Sequence, residues 1–446
     1  MAKFNTLIFL KKTMYPLCIC LIGFIFHYSF FILLAHFLTK GVFGLYNYVF
    51  LITSLLSNFI ILGTNANATR FLSIYLKEFD FKDAHEYITW NFKLVLKPIL
   101  ISFTLFTIIF FIVDPLQLYS HHHLSNALKI STTLLFNMPF MAVFVILTTY
   151  LICDNKISLN AYFYSIQQNL LSIIFYWVFL NSITSIPKLD ICLFLIPLVS
   201  IINIITLLIA IKAFSPKIYQ LIRISNISEK FKNSKVHSWN INTFLQLINQ
   251  SLSMVMMKID NLLLIFFVYS NGDLGSYALA LHTADFLKFF PVGIFKYLMP
   301  KISSMIENKS RQKEFQSEWN RCLVLNSLFV LIFASSLFFF AKSIVTYLYG
   351  IEYLDAVPVL KIIVVTSVFS SISGAKWALL AYTGNVHYES YLYILRIVLC
   401  AILVFCFKSY GMIGVAYASL ISEIVKDVGL VIVINKKLNF KSLGFI

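Results

Sequence analysis

The amino-acid sequence predicts an all-α polytopic membrane protein with about 12 transmembrane helices. Two observations carry this prediction: 59% of the 446 residues are hydrophobic, and only 12% are charged. A soluble domain has roughly 45–50% apolar and about 25% charged residues. The chain therefore has too few charged groups to cover the surface of a water-soluble globule. This excludes a soluble enzyme, a secreted protein and a disordered chain.

The spans are predicted from apolar runs, since a helix that crosses a membrane needs about 20 mostly apolar residues. The runs lie at 14–38, 45–64, 90–113, 128–152, 159–181, 190–214, 241–268, 275–299, 322–341, 357–381, 390–407 and 412–434. No P-loop, G-x-S-x-G or H-E-x-x-H motif occurs in the sequence. We therefore predict that the protein is not an enzyme and uses no cofactor or metal.

The basic residues predict the orientation of the spans. Lys and Arg number 35 against 19 acidic residues, a formal net charge of +16. In membrane proteins they collect in cytoplasmic loops. With a cytoplasmic N-terminus, 21 of them fall in cytoplasmic segments and five on the opposite side. Those five are Lys40, Lys129, Lys188, Lys342 and Lys408. Both termini are predicted to be cytoplasmic. The orientation signal accounts for most of the net positive charge, so no nucleic-acid partner is predicted.

The longest cytoplasmic loop divides the chain into two halves. It covers about 215–240, so we predict a six-helix bundle at 1–214, a linker at 215–240 and a second six-helix bundle at 241–446. No extracytoplasmic loop exceeds about 15 residues, which leaves no room for an extramembrane catalytic domain.

Short motifs recur between the halves at nearly one offset. The pairs are Phe43-Gly44-Leu45-Tyr46 with Leu274-Gly275-Ser276-Tyr277, Leu128-Lys129-Ile130 with Leu360-Lys361-Ile362, and Tyr162-Phe163-Tyr164 with Tyr391-Leu392-Tyr393. Because an even number of helices precedes the second half, both halves run in the same direction. The pattern indicates a parallel repeat about a pseudo-twofold axis along the membrane normal, as in some transporters. Chance similarity among segments rich in Phe, Leu and Tyr is the alternative.

Polar groups inside the spans indicate where a substrate passes. An ionisable group in a span costs about 2.5–3.5 kcal/mol on insertion scales, so it usually faces a cavity or a partner. Helical spacing places such groups on one face of the seventh, eighth and twelfth runs. We select as substrate-pathway candidates Asn65, Arg70, Asn249, Gln250, Lys258, Asp260, Asp285 and Lys288. Candidates for coupling or gating are His282, Arg396, Glu423, Lys426 and Asp427.

Two interpretations of these groups stay open. They form a hydrated cavity whose cations attract an anionic substrate such as a phosphate. Alternatively they pair internally, Asp285 with Lys288 and Glu423 with Lys426. Arg396 lies near the predicted cytoplasmic end of its run and could extend to the membrane surface instead.

Three segments resemble the Wzx-type O-antigen flippases of the multidrug/oligosaccharidyl-lipid/polysaccharide (MOP) exporter superfamily, which includes the MATE transporters. The first is Phe43-Gly44-Leu45-Tyr46. The second runs from Lys258-Ile259-Asp260-Asn261 to Asp273-Leu274-Gly275-Ser276-Tyr277. The third is Leu348-Tyr349-Gly350-Ile351-Glu352-Tyr353 with Ala356-Val357-Pro358-Val359-Leu360. Asp260 matches an aspartate that this family carries in its seventh helix.

The resemblance implies an undecaprenyl-diphosphate-linked oligosaccharide as substrate, moved between the leaflets of the bacterial inner membrane by alternating access. It also implies contact with membrane lipids, and an O-antigen polymerase with its chain-length machinery as candidate partners. Arg70, Lys258 and Lys288 are the side chains we expect at the diphosphate. A cation-coupled small-molecule exporter of the same fold is the first alternative. A membrane O-antigen polymerase or glycosyltransferase is the second.

Overall fold

The computed structural model describes residues 6–109, 122–183, 186–224, 233–267, 270–288, 291, 312–382 and 386–438. Helices make up the described chain, and we number them in order. They are α1 Thr6–Phe37, α2 Lys40–Ile61, α3 Thr64–Lys77, α4 Phe81–Ile108, α5 His122–Cys153, α6 Ile157–Ser182, α7 Lys188–Phe214, α8 Pro216–Ile224, α9 Asn233–Phe267, α10 Asn271–Ala284, α11 Gln312–Phe339, α12 Ala341–Leu348, α13 Ala356–Tyr382, α14 Val386–Phe407 and α15 Gly411–Leu438. A 3₁₀ turn, Asp285–Lys288, continues α10, and α6 contains a π-helical segment, Tyr162–Gln167.

The predicted fold class, an all-α polytopic membrane protein, is confirmed. Within the described residues, eight stretches of helix are long and apolar enough to cross a membrane. One of them, His387–Lys436, contains both α14 and α15, because the turn between these helices is very short. The seventh predicted run lies in α9. The eighth, 275–299, is described only as far as Lys288 and at Pro291.

By internal contacts the chain forms two units. Unit 1 comprises 1–45 with 252–446, and unit 2 comprises 46–251. In unit 1, α15 packs on α13 and α14, and α13 packs on α10 and α11. In unit 2, α5 packs on α3, α4 and α7. The predicted domains 1–214, 215–240 and 241–446 stay a prediction, and unit 1 differs from them by including α1, which contacts α10.

The recurring motifs occupy matching places in their helices. Gly44 is the fifth residue of α2, and Gly275 is the fifth residue of α10. Tyr162 is the sixth residue of α6, and Tyr391 is the sixth residue of α14. Lys129 fits less closely, since it is the eighth residue of α5. These positions agree with the predicted repeat for two of the three motifs.

The two motif glycines also touch each other. A Cβ atom on Gly44 would lie 2.6 Å from the backbone nitrogen of Gly275 and 2.5 Å from the carbonyl oxygen of Asn271. A Cβ atom on Gly275 would lie 2.2 Å from the carbonyl oxygen of Lys40. Such close approach of two backbones is possible only with small residues. Beside this crossing Lys40 forms an ion pair with Asp355, which also accepts a 3.0 Å hydrogen bond from Ser276 Oγ.

A break separates α2 from α3. Leu62 and Gly63 have φ angles of 55° and 75°, so the chain leaves the right-handed helical conformation for two residues. Asn67 Nδ2 then donates hydrogen bonds to Trp239 O at 3.1 Å and to Thr243 Oγ1 at 2.5 Å. The start of α3 is thereby fixed to α9 within unit 2.

Replacing Gly63 with alanine is expected to destabilise unit 2 by about 1–3 kcal/mol. The added Cβ would lie 2.5 Å from Leu247 N, and the positive φ adds strain. The midpoint of thermal unfolding of the purified protein measures the change. Gly63→Asn separates the two causes, because asparagine tolerates this φ but still carries a Cβ. Full recovery in Gly63→Asn would show that the close contact with α9 does not matter.

Candidate functional site

A cavity of about 250 Å³ lies inside unit 1. Its wall on α9 consists of Ser253, Met256, Met257 and Asp260, at the spacing of one helical face. Other walls come from the end of α10 with its 3₁₀ turn and from α13, α14 and α15. The lining thus combines residues that lie as much as 173 positions apart in the sequence, Ser253 to Lys426.

A buried chain of charges lies along the wall formed by α14 and α15. Arg396 Nε lies 2.7 Å from Glu423 Oε2, and Lys426 Nζ lies 2.5 Å from Glu423 Oε1. Lys426 Nζ is also 3.2 Å from Asp427 Oδ1. The exposed fractions are 7% for Arg396, 1% for Glu423 and 3% for Lys426. Two cations therefore share one buried carboxylate, and Asp427 balances the second cation.

Further hydrogen bonds fix two members of this region. Arg396 Nη1 donates to the carbonyl oxygen of Met256 at 2.6 Å. Asp260 Oδ2 accepts hydrogen bonds from Tyr277 Oη at 3.1 Å and from Ser419 Oγ at 3.3 Å. These contacts connect α9 to α10, α14 and α15. The alternative that Arg396 extends to the membrane surface is wrong, because its guanidinium is held inside unit 1.

Lys288 is the most accessible cation of the cavity wall. Its ammonium lies 2.5 Å from Asp285 Oδ1, and 42% of its side chain is exposed, against 3% for Lys426. Lys258, which lies on α9, interacts electrostatically with Asp285. Among the charged groups lining the cavity, three are cationic (Lys288, Arg396, Lys426) and two are carboxylates (Asp260, Glu423).

Hydroxyl groups make up much of the remaining polar wall. They are Ser253, Thr366, Ser367, Ser370, Tyr393 and Ser419. Ser253 belongs to the polar face of the seventh predicted run, and we did not select the other five from the sequence. Serine and threonine are ordinary in membrane helices, where they bond to their own backbone, as Thr366 Oγ1 does to Ile362 O at 3.1 Å. For the hydroxyls of α13, the spacing of Thr366 and Ser370, four residues apart, is a signal that was present in the sequence.

The structure thus brings five of the predicted site residues to one cavity: Asp260, Lys288, Arg396, Glu423 and Lys426. Asp285 and Asp427 do not line the cavity, but each forms an ion pair with a lysine that does, Lys288 and Lys426 respectively. Both internal pairs considered from the sequence, Asp285 with Lys288 and Glu423 with Lys426, are formed. The cavity interpretation and the pairing interpretation therefore describe the same residues.

The other predicted residues lie elsewhere. Arg70 is exposed in unit 2 and donates to Asn242 Oδ1 at 3.0 Å. Asn65 also belongs to unit 2, where its side chain accepts from the amide of Ala66. Asn249 and Gln250 are half-buried on the part of α9 that belongs to unit 2. None of these four is among the residues that line the cavity of unit 1.

His282 belongs to unit 1 but lies in an aromatic cluster. Its ring stacks on Phe31 with a centroid distance of 3.5 Å, and the ring of His27 is 5.9 Å away. The cluster joins α1 to α10. The roles in coupling or gating that we assigned to His282 and to the charges of α14 and α15 stay predictions.

The fold is that of the MOP superfamily transporters. An inward-facing multidrug resistance MATE transporter of that superfamily matches with a TM-score of 0.71 and 14% identity, over 96% of this chain and 100% of the other. The lipid II flippase MurJ in an inward closed conformation matches with 0.65 and 17%, over 94% and 87%. A MOP transporter from Pyrococcus furiosus, described as having a binding pocket of reverse polarity, matches with 0.64 and 13%, over 96% and 95%.

The family follows from the sequence itself. A family model described as polysaccharide biosynthesis protein matches residues 9–306, about two thirds of the chain. The chain therefore belongs to this family. The predicted resemblance to the MOP superfamily is confirmed by the shared fold. None of the curated proteins compared with the chain matches it.

Proposed function

We propose that the protein is a Wzx-type flippase that moves an undecaprenyl-diphosphate-linked oligosaccharide from the cytoplasmic to the periplasmic leaflet of the bacterial inner membrane by alternating access. Both termini lie in the cytoplasm. The observation that carries the proposal is the composition of the unit 1 cavity, in which one accessible cation, Lys288, stands among six hydroxyl side chains. An O-antigen polymerase and its chain-length machinery are the partners that the function would require.

The cavity suits the polar part of such a substrate. A sugar diphosphate cannot cross about 30 Å of hydrocarbon unaided, whereas its polyprenyl tail can stay in lipid. Serine, threonine and tyrosine hydroxyls both donate to and accept from sugar hydroxyls. The Lys288 ammonium can contact a phosphate oxygen through a charge-assisted hydrogen bond.

The size of the cavity limits what it holds. Ligand pockets usually measure about 300–1,000 Å³, and this one measures about 250 Å³. It therefore receives one part of the head group, a single sugar or the diphosphate, rather than a whole oligosaccharide. The fold shared with a lipid II flippase supports a lipid-linked substrate.

The test is complementation in a bacterial strain that lacks its own flippase. Surface polysaccharide should return with the wild-type chain, and Lys288→Ala should lower the transport rate about tenfold or more, since a hydrogen bond to a charged group contributes about 1.5–3 kcal/mol. Lys288→Arg should keep most of the activity. The matched control is Lys408→Ala. The Lys408 ammonium lies over the ring of Phe405, outside the cavity.

A second variant separates binding from stability. Lys288→Ala leaves Asp285 without its ion pair, so Asp285→Ala with Lys288→Ala should recover stability but not transport. Full transport by this double variant would show that Lys288 is not needed for substrate binding. Export of cationic dyes by the wild-type chain, with no return of polysaccharide, would replace the flippase by a small-molecule exporter.

A further inference from the structure

A groove of about 420 Å³ lies in unit 2. It is formed by α4, α5 and α7. Phe106 and Phe136, whose ring centroids are 5.0 Å apart, make one side. Phe194, with 59% of its surface exposed, stands on the α7 side. The groove is therefore open at the surface of a membrane-spanning unit.

The two ends of the groove differ in polarity. At one end Lys129 Nζ lies 3.1 Å from Asp190 Oδ1 and 3.0 Å from Asp190 Oδ2. This ion pair keeps 42% of the lysine and 29% of the aspartate side chain exposed. Toward the other end the α7 wall consists of Leu193, Leu198 and Ile201. The groove is thus amphipathic along its length, and the charged residues of its described lining, Lys129 and Asp190, both lie at the polar end.

The length of the groove matches one lipid leaflet. Asp190 and Ile201 are eleven residues apart on α7, which corresponds to about 16 Å at 1.5 Å per residue. Half of a bilayer core of about 30 Å is about 15 Å. An acyl chain placed in the groove would span its leaflet with its head group beside the ion pair.

We propose that this groove binds a phospholipid with a zwitterionic, primary-amine head group, a phosphatidylethanolamine. The phosphate lies at Lys129, the ammonium lies at Asp190, and one acyl chain follows α7. The charge pattern selects this lipid. The ammonium of this head group gives Asp190 a charge-assisted hydrogen bond, whereas the glycerol of phosphatidylglycerol offers only neutral hydroxyls there. A choline has no N–H to donate to Asp190, and a polyprenyl phosphate carries no cation.

Lipid binding in this groove is independent of the proposed substrate site, since the lining of the groove contains no residue of the unit 1 cavity. By the proposed topology it opens to the extracytoplasmic leaflet. An occupant there would stabilise unit 2 by binding the folded state.

Native mass spectrometry of the purified full chain tests the proposal with three probes: phosphatidylethanolamine, phosphatidylcholine and phosphatidylglycerol. Phosphatidylethanolamine should bind best to the wild-type chain. Lys129→Met with Asp190→Asn should weaken its binding about tenfold or more, the effect of losing at least one charge-assisted hydrogen bond. The exchanged pair Lys129→Asp with Asp190→Lys should keep most of the preference. Lys235→Met, which breaks the ion pair with Asp83 elsewhere in unit 2, is the control and should change nothing.

A filling substitution gives an independent readout. Leu198→Trp should reduce binding of all three lipids, because it occupies the space of the acyl chain. Equal binding of the three probes by the wild-type chain, or preference for phosphatidylglycerol, would overturn the proposal. So would unchanged phosphatidylethanolamine binding in both the charge variant and the filling variant. Displacement of the lipid by polyprenyl phosphate would assign the groove to the substrate tail instead.

Discussion

Replacing Glu423 with alanine is expected to destabilise unit 1 by about 3–5 kcal/mol, the usual cost of removing one partner from a buried ion pair. The loss is large because two cations depend on this carboxylate. Arg396 and Lys426, exposed by only 7% and 3%, would stay buried with their charge uncompensated on that side. Asp427 would balance Lys426 only in part.

Labelling of Cys400 with a thiol-reactive dye during heating measures this effect. Cys400 is fully buried on α14, so in a chain whose other cysteines are replaced by serine its reaction reports the opening of unit 1. Glu423→Leu with Arg396→Leu should recover much of the stability, because it removes both charges of one pair. The part-exposed pair of Lys235 and Asp83 provides the reference, with a cost of about 1 kcal/mol or less for Lys235→Met. If Glu423→Ala costs no more than this reference, the buried network does not stabilise unit 1.

The second large effect is expected at the crossing of α2 and α10. Gly275→Ala would place a Cβ 2.2 Å from the carbonyl oxygen of Lys40, so the helices must separate by about 1 Å. Overpacking of this kind costs about 1–3 kcal/mol. The nearby contacts of Asp355 with Lys40 and Ser276 would be strained as well. We expect transport to fall with stability, since this crossing fixes the start of both helices.

Two neighbouring glycines make matched controls. A Cβ on Gly41 would lie 3.5 Å from Asn271 Cβ, and one on Gly272 would lie 3.7 Å from Ser270 Oγ, which are ordinary contacts. Alanine favours a helix over glycine by up to about 1 kcal/mol. Gly41→Ala and Gly272→Ala should therefore be neutral or slightly stabilising, while Gly275→Ala and Gly44→Ala destabilise. If alanine changed the stability in the same direction at all four glycines, the close contact of α2 and α10 at Gly44 and Gly275 would be contradicted.

The fold class could be predicted from the sequence because apolar runs of membrane length are a direct signal. The local charge pairs could be predicted for a similar reason. Asp285 with Lys288 and Glu423 with Lys426 are three residues apart, and a helix places such residues on one face. Both pairs depend on helical geometry alone, and both are formed.

The contacts between helices could not be predicted in the same way. Arg396 and Glu423 lie on different helices, and no feature of either segment shows that they meet. Asn65 and Arg70 were selected as polar groups that belong to a predicted span, and Arg70 also as a cation for the diphosphate. The break at Leu62 and Gly63 instead puts them on a separate helix, α3, which Asn67 joins to α9 within unit 2. The hydroxyl wall of α13 was missed, because such residues carry no charge that would be costly in lipid.

The contact between Gly44 and Gly275 has a consequence for the origin of the chain. If the two halves descend from one six-helix ancestor, that ancestor carried a single copy of the motif. It could form this crossing only as a homodimer, with glycine against glycine across a true twofold axis. In the present chain each glycine can change by itself, yet a Cβ on either one would meet the backbone of the facing helix. The same steric requirement therefore acts on both copies of the motif.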